Sequence, residues 1–180
     1  RLGEATVAAN ALLLNGLLLT AYALDGLAHA VEALCGHAIG AGDRGALRRS
    51  MTVACGWSLI VSLVFAGVFL LGGHWFIQLQ TDIPSVRETA FEYLPYLALL
   101  PLVAVWSYLL DGLFIGATRA REMRNGMLLS VAIALPFAYA ASGLGNHGLW
   151  LGFLLFMGLR AVTLGVMGWR LQRRDGWFVV

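Results

Sequence analysis

The chain has 180 residues, of which 59% are hydrophobic and 12% charged, at a mean hydropathy of +0.78. That is about half the charge of a soluble domain, so water is not its main solvent. Its basic residues are all arginine, and a net charge of +2 in so apolar a chain argues against nucleic-acid binding. Apolar runs near the roughly 20 residues needed to cross lipid recur throughout and leave no soluble domain between them. We read residues 1–180 as a single all-α membrane domain, a polytopic bundle of five transmembrane helices.

The chain starts Arg1-Leu2-Gly3 without a methionine. Its first apolar segment is too long and too polar inside to be a cleaved signal, so this start is expected to be a cut in a longer polypeptide. A first helix is expected from about residue 7 to residue 38. At 1.5 Å per residue this is roughly 48 Å, more than the hydrocarbon thickness, which demands tilt, a bend or a projecting end. Gly16 and Gly26 are the candidate bends. After the polar loop at Ala41-Gly42-Asp43-Arg44, a second span without ionisable residues runs from about 50 to 71 and is expected to stop at Gly72-Gly73. Residues 74–80, with Trp75 and Phe76, then lie at the interface, and Asp82-Ile83-Pro84 reads as a cap followed by proline in the first helical turn.

The third helix should start near Ser85 and reach about Ala117. Arg87, Glu88 and Glu92 are placed outside the hydrocarbon, and Pro95 and Pro101 should kink the helix by removing backbone donors. A short fourth span, about 127 to 142, holds Pro136. The fifth runs from about 148 to 171 after the turn at 143–147. Arg44, Arg48 and Arg49 follow span one, Arg119, Arg121 and Arg124 follow span three, and Arg170, Arg173 and Arg174 follow span five. Arginine excess marks the cytoplasmic side, which puts the start of the chain outside and its end inside. Trp75 and Trp150 are expected to belt the outer boundary and Trp169 the inner one. An outside start implies an odd number of spans upstream.

Asp25, His29 and Glu32 fall within an arc of about 60° on the first helix, with Tyr22 and Gly36 on the same face. Each acid at mid-bilayer costs about 2.5–3.5 kcal/mol on the insertion scale, so this stripe must face protein or a watery cavity. A transport pathway or cation-coupling site is one reading. Polar glue between helices is the other, but one such residue suffices for that and gains only about 0.6–2 kcal/mol. A metal site from His29 and Glu32 lacks the second histidine of the HExxH pattern.

Leu110-Asp111-Gly112-Leu113 repeats the tetrapeptide Leu24-Asp25-Gly26-Leu27. Asp111 either shares a cavity with Asp25 at a different depth or pairs with Arg119 or Arg121 near the membrane surface. Arg160, inside the last span, reads as a snorkelling side chain, a partner for an acid, or a cavity-lining residue together with Tyr22. His37, His74 and His147 lie near span ends, where solvation suffices to explain them. Gly36 with Gly40, and Gly112 with Gly116, have the spacing that lets helices approach closely. Cys35 and Cys55 are expected to be reduced and to serve packing. No catalytic residue, metal site or cofactor is expected.

The stretches LDGLAHAVEALCGHAIGAGD (24–43) and LDGLFIGATRAREMRNGM (110–127), with Arg1-Leu2-Gly3 and Ala8-Ala9-Asn10, resemble the multidrug and toxic compound extrusion (MATE) family and its DinF-like branch. The resemblance implies that the five helices correspond to spans eight to twelve, the C-terminal lobe of a twelve-span transporter, with the N-terminal lobe and one further span upstream. It implies export of drugs or other cationic and amphipathic compounds by exchange against protons or sodium, through alternating access. It also makes Asp111 the position that most nearly matches a cation-site aspartate in the tenth span, and places Asp25 and Glu32 in the eighth-span motif. The partners implied are the bilayer of a bacterial inner membrane, a small-molecule substrate, the coupling ion and the missing lobe. The acidic residue of the first span, on which many family members rely for coupling, has no counterpart here. Rival readings are a membrane scaffold or assembly subunit and an intramembrane metal-dependent hydrolase.

Overall fold

The computed structural model describes residues 3–174 and 176–178, so the junction at Arg1 and Leu2 lies outside the described residues. The described chain forms five long helices: α1 (Glu4–Gly40), α2 (Arg44–Gln78), α3 (Pro84–Gly116), α4 (Ala120–Ala140) and α5 (Asn146–Arg173). Short 3-10 turns at Ala141–Leu144 and Gly176–Phe178 complete it. All five helices are long and apolar enough to cross a membrane. At 37 residues, α1 is about 55 Å long.

The ends of the helices follow local chemistry. Gly42, at φ +68°, turns the chain after α1 so that the Gly42 and Asp43 amides donate to the carbonyls of Ile39 and Ala38. The Asp43 carboxylate then accepts from the Ala46 amide at 2.8 Å and caps α2. At the next turn Pro84 opens α3 after Ile83, which makes no side-chain cap. Asp82, expected to cap this helix, instead pairs with Arg87 at 2.8 Å. Arg87 also donates to the carbonyls of Thr81 and Gln78, at 2.6 and 3.0 Å, and so clamps the start of α3 to the end of α2.

Several expected boundaries move, among them the start of α2, which lies at Arg44 rather than at about residue 50. Gly72-Gly73 does not stop α2, which continues to Gln78. A Cβ on Gly73 would stand 2.6 Å from the Leu94 side chain, so this glycine serves the packing of α2 on α3 rather than a chain reversal. Likewise α4 begins seven residues before the expected start, because its polar first turns remain helical, with Arg119 bonded to Glu122 at 3.3 Å.

Helix α3 lies at the centre, packed against α1, α2 and α5, while α4 leans on α5 at the edge. Three apolar clusters stack along the bundle. Leu13, Phe69, Leu97 and Trp150 lie at the end away from the arginines; Leu24, Leu100 and Val105 lie in the middle; Cys35, Phe114, Leu164 and Trp177 lie at the arginine-rich end. Trp150, expected in an interfacial belt, is therefore a core residue, 4% exposed. Trp75 and Trp169 are exposed, the latter beneath the Arg173 guanidinium at 3.9 Å. Both cysteines are free thiols. Along α2 an apolar face including Leu59, Ile60, Leu63, Val64, Leu70 and Leu71 is turned outward, as lipid requires.

The tightest crossing is α1 on α3. A Cβ on Gly112 would lie 2.3 Å from the Ala28 carbonyl oxygen, and one on Gly116 would lie 2.5 Å from that of Glu32. Gly36 meets Gly116 backbone to backbone, whereas Gly40, its expected partner in spacing, faces open space. Small residues here let the two main chains touch, as helix association in lipid favours. Replacing Gly112 with valine should therefore lower the stability of the purified protein by about 1–3 kcal/mol in thermal unfolding. Gly56→Ala, at a position with nothing within 4 Å, should change it by no more than about 1 kcal/mol.

Candidate transport site

The α1–α3 crossing decides which charges meet. Because Gly112 sits on Ala28, Asp111 stands within about one helical turn of the level of Asp25 rather than at a separate depth. From α5, Arg160 reaches across and donates to Asp111 Oδ2. The side chains are only 13% and 14% exposed, which makes this a largely buried pair between two spans and not the surface pair with Arg119 or Arg121 that was the alternative. Arg119 instead bonds to Glu122 and to the Gly176 carbonyl. Phe156, one turn before Arg160 on α5, presents its ring to the guanidinium at 5.9 Å.

The other carboxylate oxygen, Asp111 Oδ1, is buried and makes no hydrogen bond among the described residues. Such a group is costly in an apolar interior, where each carboxylate oxygen can accept two bonds. Tyr108 lies three residues before Asp111 on α3, and the charges of Asp25, Arg160 and Asp111 all act on its hydroxyl. Asp25 acts on Asp111 as well. The cluster thus joins α1, α3 and α5, with two carboxylates against one guanidinium. Sequence reasoning missed Tyr108, although its spacing from Asp111 places both on one helical face.

The other stripe residues are arranged differently. His29 Nδ1 lies 3.4 Å from Glu32 Oε2, with the two side chains 78% and 38% exposed. Asp25 and Tyr22 are exposed on the same helix. Gly36 is not part of that open face, since it is packed on Gly116. Asp25, His29 and Glu32 thus present an accessible polar face, while Asp111 and Arg160 lie inside the bundle.

A mainly apolar cavity of about 580 Å³ opens between α1, α4 and α5, with Leu14, Leu135, Phe153 and Phe156 in its wall and the Asn10 amide at one end. Phe156 thus touches both this cavity and the arginine of the buried pair.

Five lipid-length helices with an ion pair set between two of them and an acidic face beside it describe a polytopic membrane protein that holds ionisable groups among its spans. The MatE family model matches residues 1–140, and the chain belongs to that family. It is 46% identical over 179 residues to the DNA damage-inducible protein F of Escherichia coli (strain K12), covering 99% of this chain and 39% of that protein. A probable multidrug resistance protein NorM of Agrobacterium fabrum is 28% identical over 166 residues, 83% of this chain and 34% of its own length. Protein DETOXIFICATION 45, chloroplastic, of Arabidopsis thaliana is 24% identical over 181 residues, with 32% of its length covered. The chain therefore spans well under half the length of these relatives. No solved structure matches it.

Breaking the buried pair from either side should leave an uncompensated charge. Asp111→Asn or Arg160→Gln alone is expected to cost about 3–5 kcal/mol in unfolding measurements, and the double substitution to recover most of that loss.

Proposed function

We propose that this chain forms part of a secondary active efflux transporter that exchanges drugs or other cationic and amphipathic compounds for protons or sodium by alternating access. The observation that carries this reading is the largely buried Asp111, held by Arg160 through one oxygen while the other has no partner among the described residues and the charge of Asp25 lies nearby. A carboxylate kept half-satisfied in lipid can accept a cation or a proton without unfolding its surroundings. Arg160 supports this by holding Asp111 oriented between turnovers. Asp25, His29 and Glu32 line the accessible side of the same pathway, and Tyr22 lies at its edge. Differential binding of substrate and coupling ion to two arrangements of the helices would couple their fluxes.

In full-length protein reconstituted into vesicles, Asp111→Asn should reduce cation-driven substrate efflux at least about tenfold, the scale of a lost charged contact. Asp25→Asn combined with Glu32→Gln should also reduce exchange. Unchanged flux in both variants would favour the scaffold reading, in which these acids only hold helices together.

The arginine-rich end is assigned to the cytoplasm of a bacterial inner membrane, with Glu4 at the outer end of α1. In intact cells, a cysteine replacing Ser142 should react with a membrane-impermeant thiol reagent, and one replacing Arg48 should react only after the membrane is opened.

A further inference from the structure

A second group of polar side chains lies at the arginine-poor end, apart from the Asp111 cluster. His147, near the start of α5, uses both ring nitrogens on α3: Nε2 lies 3.0 Å from Glu92 Oε1, and Nδ1 lies 3.0 Å from the Tyr96 hydroxyl. The Tyr93 ring stands 4.9 Å from the imidazole, and Tyr96 stacks on Trp150 at 6.3 Å. Trp150 Nε1 in turn donates to Asn10 Oδ1 at 3.1 Å, and Asn10 and Asn146 exchange amide bonds at 2.7 and 3.0 Å. These contacts tie α1, α3 and α5 together. They correct the expectation that His147 needs only solvent; His74 too is engaged, its ring 4.3 Å from that of Phe91.

Pro95 falls between the two α3 residues that His147 holds. It has no N–H to give the Phe91 carbonyl, so the α3 hydrogen-bond ladder is broken here, as it is again at Pro101, and the helix bends more easily at such a break. Glu92 is on one side of the break and Tyr96 on the other. When the imidazole is neutral, the Tyr96 O–H donates to Nδ1 and Nε2–H donates to Glu92, so both links are satisfied. When it is protonated, both nitrogens donate. The Glu92 link becomes an ion pair, and Tyr96 must turn its hydrogen elsewhere and accept. One proton therefore changes the relative strength of the two grips across the break.

We propose that His147, with Glu92 and Tyr96, is a proton-binding site separate from Asp111 whose occupancy sets the bend of α3 at Pro95. The arginine-poor mouth of the bundle then changes shape with the pH of the solution at that face. The titratable groups facing His147 are Glu92, Tyr93 and Tyr96, all from α3. The polar group from α1 is the uncharged Asn10, joined to Asn146 and Trp150 of α5, and the 3-10 turn that packs on Gly148 has no titratable side chain. His147 and Glu92 are 41% and 56% exposed, so protons reach them from the surrounding water. A pair this open biases an equilibrium by about fivefold or less, which suits a reversible adjustment.

The test places spin labels at the two ends of α3, on cysteines replacing the exposed Ser85 and Ile115, in full-length protein in lipid nanodiscs. The distance distribution between the labels should change between about pH 5 and pH 8, the range over which histidine changes charge. The change should disappear in His147→Gln and in Pro95→Ala. Tyr96→Phe keeps the ring on Trp150 but removes the hydroxyl, and should at least halve the response. A pH response that survives in His147→Gln, or its absence in the unsubstituted protein, overturns the proposal. Should His147→Gln fail to fold, an unchanged response in Tyr96→Phe overturns it.

Discussion

Two backbones in contact define this bundle. Where α1 crosses α3, Gly112 rests on the Ala28 carbonyl and Gly116 on that of Glu32, distances that no larger residue could accept without displacement. In lipid, apolar side chains gain little by leaving one hydrocarbon environment for another, so close packing of main chains becomes a principal source of helix association. The crossing also sets the register of everything built on the two helices. It brings Asp25 near the level of Asp111, and from α5 Arg160 reaches Asp111.

Charges in this protein divide into two kinds by how lipid treats them. Asp111 and Arg160 are withdrawn from solvent and stabilise each other, since either one alone would be an isolated ion in an apolar interior. Asp25, His29 and Glu32 are open along α1, a face that hydrocarbon would penalise and that needs water or further protein against it. A buried pair beside an accessible acidic face gives the cluster an inner, fixed part and an outer part that exchanges with its surroundings.

The two ends of the bundle are built differently. At the arginine-rich end, Trp177 packs on Phe114 and the guanidinium of Arg44 lies over Phe178, so the last turn of the chain is folded back on the core. At the other end a packed core around Phe69, Phe76, Leu97 and Trp150 is accompanied by hydrogen bonds between asparagine, tryptophan, histidine, tyrosine and glutamate. These polar links flank Pro95, which leaves the Phe91 carbonyl without its helical donor.

Hydropathy alone determined that five helices cross a membrane, because a backbone in lipid must satisfy its hydrogen bonds within each segment. The placement of arginines grouped the helix ends, and the motifs around Asp25 and Asp111 pointed to the family. Helix ends were less legible: Gly73 looks like a stop in the sequence but is a contact for Leu94, a distinction that depends on which helix lies alongside. Pairings were not legible either. Asp111 had three arginines to choose from, and Asn10 finds Asn146 across 136 residues of chain. Spacing along one helix reveals which residues share a face. Which face meets which is decided by shape at the crossings, and only the tertiary structure carries that information.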